Sequence, residues 1–422
     1  MFFKKNRVKE VANQLLSIAK KIENYRSDLL TASQKENLAQ ARQMINSAIA
    51  LPMSEASSHF DSADELLKSI GGDVYPMNSL TENTEVFLFA AILALAIRTF
   101  FFQPFKIPTN SMYPTYAGMK YELVQKPRTK GEQFKRWCLL GATHYQAVAK
   151  SSGPVKLPIA VRGDKMGPYG GHLFYKVVKT RKYLGLLSCQ EREYCFFVGD
   201  QPLTLRVPLE FNFDDVALST FFPKAHSWRE VLDHQQWNQF QYLGKNSNND
   251  EHSVLYFNTG VSRSKGEPVI DFDILTGDML FVNKMIYHFS YPKIGDAFVF
   301  RTCDIEQLRG EDKYYIKRLV GVPGDSLSVQ NYALIRNGQP IYGADAFDLN
   351  RYRRNNYPGY TSVGLLEKDQ SVQVEGHCYF AMGDNSPESS DSRFWGFVPD
   401  QSVIGKAVFI LYPFTKRWGI SH

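Results

Sequence analysis

The chain has 422 residues, 44% of them hydrophobic and 14% aromatic, with a formal net charge of +6. That length leaves room for two to three domains and a sizeable core, while so small a basic excess gives no nucleic-acid footprint. Five cysteines without a C-x-x-C pair (Cys138, Cys189, Cys195, Cys303 and Cys378) speak against a zinc site or a disulfide framework, and they leave open both the redox compartment and a single bridge.

Residues 1–75 read as helical. The runs VKEVANQLLSIAKKIENYRSDLL and KENLAQARQMINSAIA set apolar residues at helical spacing with charges opposite, and TASQ parts them. The pattern predicts a solvated helical hairpin with no legible function. Next comes VFLFAAILALAIRTFFFQPF, Val86 to Phe105, about 30 Å long as a helix and enough to cross a bilayer. Ser79 and Glu82 stand ahead of it in capping-box spacing and Pro104 supplies the stop, so a membrane span is predicted over 80–104. Arg98 would cost about 2.5–3.5 kcal/mol at the bilayer centre, but nearer the helix end it can snorkel to the interface. A buried core helix would account for Val86 to Ile97 but not for the aromatic run Phe100-Phe101-Phe102. The segment lies too deep in the chain for a cleavable signal peptide, and MFFKKNRVKE lacks an apolar h-region.

Beyond the span the texture changes to short β-rich runs: HLFYKVVKT, YCFFVGD, LTLRVPLEF, DMLFVNKMIY, GDAFVFR, YYIKRLVGV, CYFAMGD and AVFILYPF. Gly, Pro and Asp punctuate them, which predicts a mostly antiparallel β domain. There are no repeats, and G-x-S-x-G, the P-loop and H-E-x-x-H are all missing.

Ser111, in FKIPTNSMYPTY directly after the span, needs a base to become a nucleophile. The nine histidines offer no convincing triad; His288 and His377 read as ordinary strand or edge residues. A lysine made neutral by burial is the other route, and YYIKRLVGVPGDSL holds a candidate, Lys317, in an otherwise apolar strand. On its own a strand lysine usually faces solvent. A third piece, GDNSPESSDSRFWGFVP, crowds Asp384, Asn385, Ser389, Asp391, Ser392 and Arg393 into one loop. It lacks the spacing and closing glutamate of a calcium loop, and neither a metal nor a cofactor is expected.

In this order, PTNSMYPT, GDMLFVNKMIY with PKIGDAFVF, YIKRLVGVPGD and GDNSPESSDSRFWGFVP resemble the signature boxes of bacterial type I signal peptidase (leader peptidase), the membrane-bound Ser-Lys endopeptidases of the export pathway. The resemblance covers Val86 to Tyr116 and Leu275 to His422. It implies a mostly β catalytic domain of signal-peptidase-like antiparallel architecture over 105–116 and 275–422, with Ser111 as nucleophile and Lys317 as general base. Thr109 would form the oxyanion hole with the Ser111 N–H, Ser389 would orient the lysine amine, and Asp391 with Arg393 and Arg318 with Asp384 would be supporting ion pairs. Phe105, Ile107, Pro108, Met112, Tyr315 and Ile316 fall where the family builds shallow pockets for the small residues that end a signal peptide, the Ala-x-Ala pattern. Substrate backbone would pair with strand edges beside Ser111 and Lys317.

The partners implied are the signal peptides of exported preproteins and membrane lipid, the latter through Phe409, Ile410, Leu411, Phe414 and Trp418, with no nucleic acid. The location implied is the bacterial cytoplasmic membrane, crossed once, with the catalytic domain on the outer, periplasmic side. Flanking charges point the other way: Arg98, Lys106 and Lys120 follow the span, whereas Asp73, Glu82 and Glu85 precede it with Lys68.

Two departures stand out. Pro387 and Glu388 replace the family's usual charged and amide residues, and Ala117 to Ile274 separates boxes that normally adjoin. That segment is too long for a structureless loop, so a β-rich inserted domain is expected over 117–274, its basic patches KTRKY and KPRTK being solvated surface. Two other readings stay open: a Ser-Lys self-cleaving regulator, which would need a DNA-binding module, and an inactive membrane-anchored binding protein on the same scaffold.

Overall fold

A computed structural model describes residues 2–76, 79–126, 128–162, 172–182, 187–225, 227–233, 240–245, 252–308 and 312–421. The chain divides into two compact units, Met1–Ile97 and Arg98–His422.

In the first unit the expected hairpin proves to be part of a set of three helices, Phe2–Arg26, Ala32–Ala48 and Met53–Gly71. Thr31 and Gln34 close a reciprocal capping box at the start of the second. The third helix lacks a side-chain cap and is rich in Ser and Asp, which hides it from a search for start signals. Its register is nevertheless clear, because Ala56, Phe60, Ala63, Leu67 and Ile70 recur at three- and four-residue intervals and are buried. They meet Val8, Ala12, Ala19 and Ile22 of the first helix and Leu38, Ala41 and Ile45 of the second in one core.

A further helix, Ser79–Ala96, runs on through a π-turn, Ile97–Phe101. Among the described residues, Asn83–Phe101 is the one helix long and apolar enough to cross a membrane, and none of it is buried. The side chains of Ser79 and Glu82, and with them the expected capping box, lie outside the described residues. The helix also stops short of residue 104: Phe102–Lys106 is a strand, paired with Met279–Asn283. Pro104 favours extended backbone in the residue before it, which forces the change.

The second unit is mostly β. Its main antiparallel sheet runs in the order Phe102–Lys106, Met279–Asn283, Val403–Tyr412, Ala297–Arg301, Tyr314–Gly321, Cys378–Met382, Val398–Pro399. The strand Tyr314–Gly321 sits inside this sheet, with Lys317 opposite Phe298 and Arg318 opposite both Ala297 and Met382. This strand is buried from Lys317 to Gly321, so a charged pair in the middle of it needs partners. A small sheet of Ser326–Gln330, Ala333–Arg336, Gln339–Pro340 and Val372–Gln373 packs alongside. The run DMLFVNKMIY keeps strand only over Met279–Asn283 and ends in the short helix Ile286–Phe289.

Between Phe102–Lys106 and Met279–Asn283, the chain builds a three-stranded sheet, with Pro268–Leu275 between Lys120–Leu123 and Thr143–Val148. A seven-stranded antiparallel sheet follows, centred on Gly153–Arg162, Leu187–Val198 and His252–Arg263. A single hydrophobic cluster joins these sheets, and its buried residues all lie between Met119 and Ile274. All five cysteines are free.

Candidate active site

The lysine strand fixes one half of the site. Lys317 is 4% exposed, with neighbouring strands on both sides. Its Nζ lies 2.7 Å from Ser111 Oγ and 3.1 Å from Ser389 Oγ. Burial penalises the ammonium and is the largest influence on it; Asp391 acts against the shift, Arg393 with it, and the pKa falls to about 8. At neutral pH and above, a useful fraction of the amine is therefore uncharged, and the same contact then runs from the Ser111 hydroxyl to the nitrogen lone pair.

Ser111 sits in a loop without regular structure, and backbone contacts hold it there. Ile107 N–H donates to Asp278 O at 2.8 Å, Met119 N–H to Pro108 O at 3.1 Å and Asn385 N–H to Ser111 O at 3.0 Å. The Asn110 side chain accepts from Gly118 N–H at 2.9 Å. Asp278, wholly buried, accepts from Ala117 N–H at 2.8 Å and is clamped by Arg417 at 2.9 and 3.0 Å. Close approach makes one glycine indispensable here. A Cβ on Gly383 would lie 2.2 Å from Ser389 Oγ and 2.4 Å from Ser111 O, so a larger residue would push the serine loop and the lysine's second partner apart.

Two buried ion pairs shape the final loop. Arg318 meets Asp384 through two hydrogen bonds of 2.7 Å and donates a third, also 2.7 Å, to Gly295 O. Arg393 meets Asp391 through two of 2.8 Å. Asp391 also accepts from Gly383 N–H at 3.0 Å, and Arg393 reaches Ser386 Oγ at 2.8 Å and Ser386 O at 2.7 Å. All four charged side chains are at most 1% exposed, a placement that is tolerated because each of their charged nitrogens and oxygens has a hydrogen-bond partner. The fork of Arg318 fits a carboxylate in a way a lysine would not.

The structure thus brings Ser111, Lys317, Ser389, Asp391, Arg393, Arg318 and Asp384 together. The residues expected at the substrate fall in several places. Ile107 and Met112 are buried beneath the serine loop with Ile410, and Ile316 packs on the same cluster. Phe105 lies edge-on to Tyr314 at 5.2 Å, whereas Tyr315 packs on Phe300 in a different cluster. Pro108 and Thr109 are exposed and open onto a cavity of about 830 Å³. Of the C-terminal run, Ile410 is buried while Phe414 and Trp418 are exposed. His377 is exposed beside Asp400, and His288 lies in the short helix Ile286–Phe289.

Some site residues carry too little sequence signal to be found in advance. Gly383 and Asp278 each sit in a Gly-Asp pair, which reads as an ordinary turn. Thr115, whose hydroxyl donates to Asp384, and Thr361, whose Oγ1 lies 2.6 Å from Arg393 Nη1, are remote in sequence from the groups they support.

A family model described as "Signal peptidase, peptidase S26" matches residues 80–166 and 270–412. The probable signal peptidase I-1 of Synechocystis sp. is 37% identical over 145 residues, 34% of this chain and 66% of its own length. Signal peptidase I of Leptolyngbya laminosa is 32% identical over 33% of this chain and 62% of its own, and that of Bacillus caldolyticus is 32% identical over 33% and 73%. The chain thus spans just under two thirds of the first two relatives. The crystal structure of a signal peptidase I from Enterococcus faecalis is 30% identical, covering 28% of this chain and 97% of its own, with a TM-score of 0.22. The family match takes in more than half of the chain, and the chain belongs to the signal peptidase, peptidase S26, family.

Proposed function

We propose that this chain is a serine endopeptidase that removes signal peptides from exported preproteins, cutting after small residues of the Ala-x-Ala type. The observation that carries this reading is the 2.7 Å contact between Ser111 Oγ and an amine that burial has made easy to deprotonate. Neutral Lys317 takes the Ser111 proton as Oγ attacks the scissile carbonyl, and Ser389 steadies the ammonium that forms. Thr109 Oγ1 and the Ser111 N–H stabilise the oxyanion. The protonated lysine then gives its proton to the departing amine, leaving an acyl-serine. Water, deprotonated by the same lysine, releases the acid and restores the hydroxyl.

On this reading the helix Asn83–Phe101 anchors the enzyme in the bacterial cytoplasmic membrane with the catalytic strands on the outer side. Exposed Phe414 and Trp418 rest on lipid. Residues 117–274 are an inserted domain; their self-contained core and the gap in the family match over 167–269 support that. Incubating the detergent-solubilised protein with an exported preprotein tests the function. The expected result is a new N-terminus after a small residue, absent with Ser111→Ala. An uncut preprotein would overturn the reading.

A further inference from the structure

The cavity of about 830 Å³ beside Thr109 has walls from separate parts of the chain, Asn356 among them. Pro108, Thr109, Asn110 and Tyr113 come from the serine loop, and Asn385 and Glu388 from the final loop. The opposite wall comes from Tyr121 and from the turn Glu210–Asp215, which falls in the stretch 167–269 that the family match leaves out.

That turn is firmly held. Phe211 and Phe213 are buried in the core of the insert, 6.1 and 5.8 Å from the Phe272 ring. Asp214 accepts from Leu173 N–H at 2.8 Å and from Trp228 Nε1 at 2.6 Å. Tyr121 is tied to Ser219 through its hydroxyl at 2.6 Å. With its aromatic residues used as anchors, the turn leaves Glu210, Asn212 and Asp215 exposed, and all three line the cavity.

Of the residues expected to hold the small side chains before the cut, Pro108 alone lines this space. It opens beside Thr109 and Asn110, the two residues before Ser111, and away from the other members of that set. Its charge is lopsided. Glu210, Asp215 and Glu388 line it together with a single cation, Lys120, whose ammonium sits 3.8 Å from the centre of the Tyr113 ring. Desolvation, then the neighbouring charges of Asp214 and Glu388, push the Asp215 carboxyl up.

We propose that the insert forms the far wall of the subsite that receives the residues following the cut bond, and that Glu210, Asp215 and Glu388 select a Lys or Arg side chain there. This rests on the peptidase reading and adds a substrate preference to it. The test uses three peptides with one small-residue cleavage site, followed by Lys, Ala or Asp in the first positions of the product. The intact protein should cleave the Lys peptide with a kcat/KM about tenfold above the Asp peptide, in proportion to the few exposed charges involved. Asp215→Lys combined with Glu210→Lys should invert the order, and the isosteric Asp215→Asn should narrow the ratio severalfold. Equal rates for all three peptides, or an order unchanged in both variants, would overturn the proposal while leaving the peptidase reading intact. Cleavage of none of them would overturn both.

Discussion

The strands around Ser111 and the sheets within 119–274 are both antiparallel β, yet they bury different things. Residues 119–274 hide an aromatic and aliphatic core, and of their buried carboxylates, Glu191 and Asp273, the second is met by Arg128 and Arg136, whose side chains stay 22% and 24% exposed. Around Ser111 the main sheet and its loops enclose Lys317, Arg318, Asp384, Asp391 and Arg393, none more than 4% exposed. Buried charge is costly and no efficient route to stability. On the proposed reading it persists here because an uncharged lysine beside a serine needs a dry site, and a dry site needs its remaining charges paired. Residues 119–274 have a fold to maintain; on the proposed reading the strands around Ser111 must also keep one amine ready to lose its proton.

Substitutions can break this contrast. The largest effect should come from Lys317→Arg, because a guanidinium keeps its proton throughout the working range. Peptide cleavage should fall about 10⁴-fold or more, as when a member of a catalytic pair is lost, and Ser111→Ala should do the same. Next in size is the asymmetry between the two regions. Arg318→Met strands Asp384 and should cost about 3–5 kcal/mol, whereas Arg136→Met, at a partly exposed pair in the insert, should cost about 1 kcal/mol or less. Chemical denaturation followed by circular dichroism would compare them, and equal losses would erase the distinction. Thr109→Ala should lower kcat by about 10²–10³, with Thr109→Ser mild, while the melting temperature stays put.

A smaller effect concerns stability alone. Folding lowers the Lys317 pKa from 10.5 to about 8, so between those values the unfolded chain binds the additional proton and stability rises with pH. The full cost applies below about 8. At about 1.4 kcal/mol for each tenfold, it is on the order of 3 kcal/mol. Lys317→Met should therefore yield an inactive protein that is more stable than the original at pH 7. That gain should fade as the pH is raised from about 8 to 10.5.

Much of the site could be read from the sequence because chemistry restricts it to few residue types in a set order. A serine after an apolar helix, a lysine in an apolar strand and a loop crowded with Asp, Ser and Arg are all local signals. What stayed hidden depends on contacts between distant segments. Asp278 supports Ala117 across 161 positions, and nothing in its own neighbourhood announces that. Gly383 matters only because two other segments converge on its missing Cβ. The helix Met53–Gly71 carried a clear apolar rhythm, but its weak start and polar composition masked it. The wall at Glu210–Asp215 was invisible for a different reason: its residues look like any turn until the fold sets them beside Thr109.

The state of the Lys317 amine is the centre of the account, and the pH dependence of kcat/KM on a peptide substrate reports it most directly, since that ratio follows the free enzyme's ionisations. Activity should rise with pH through one deprotonation near 8 and then level off. A rise that continues through about 10.4, the range of a solvated lysine, or the same acid limb in the residual activity of Lys317→Ala, would contradict it.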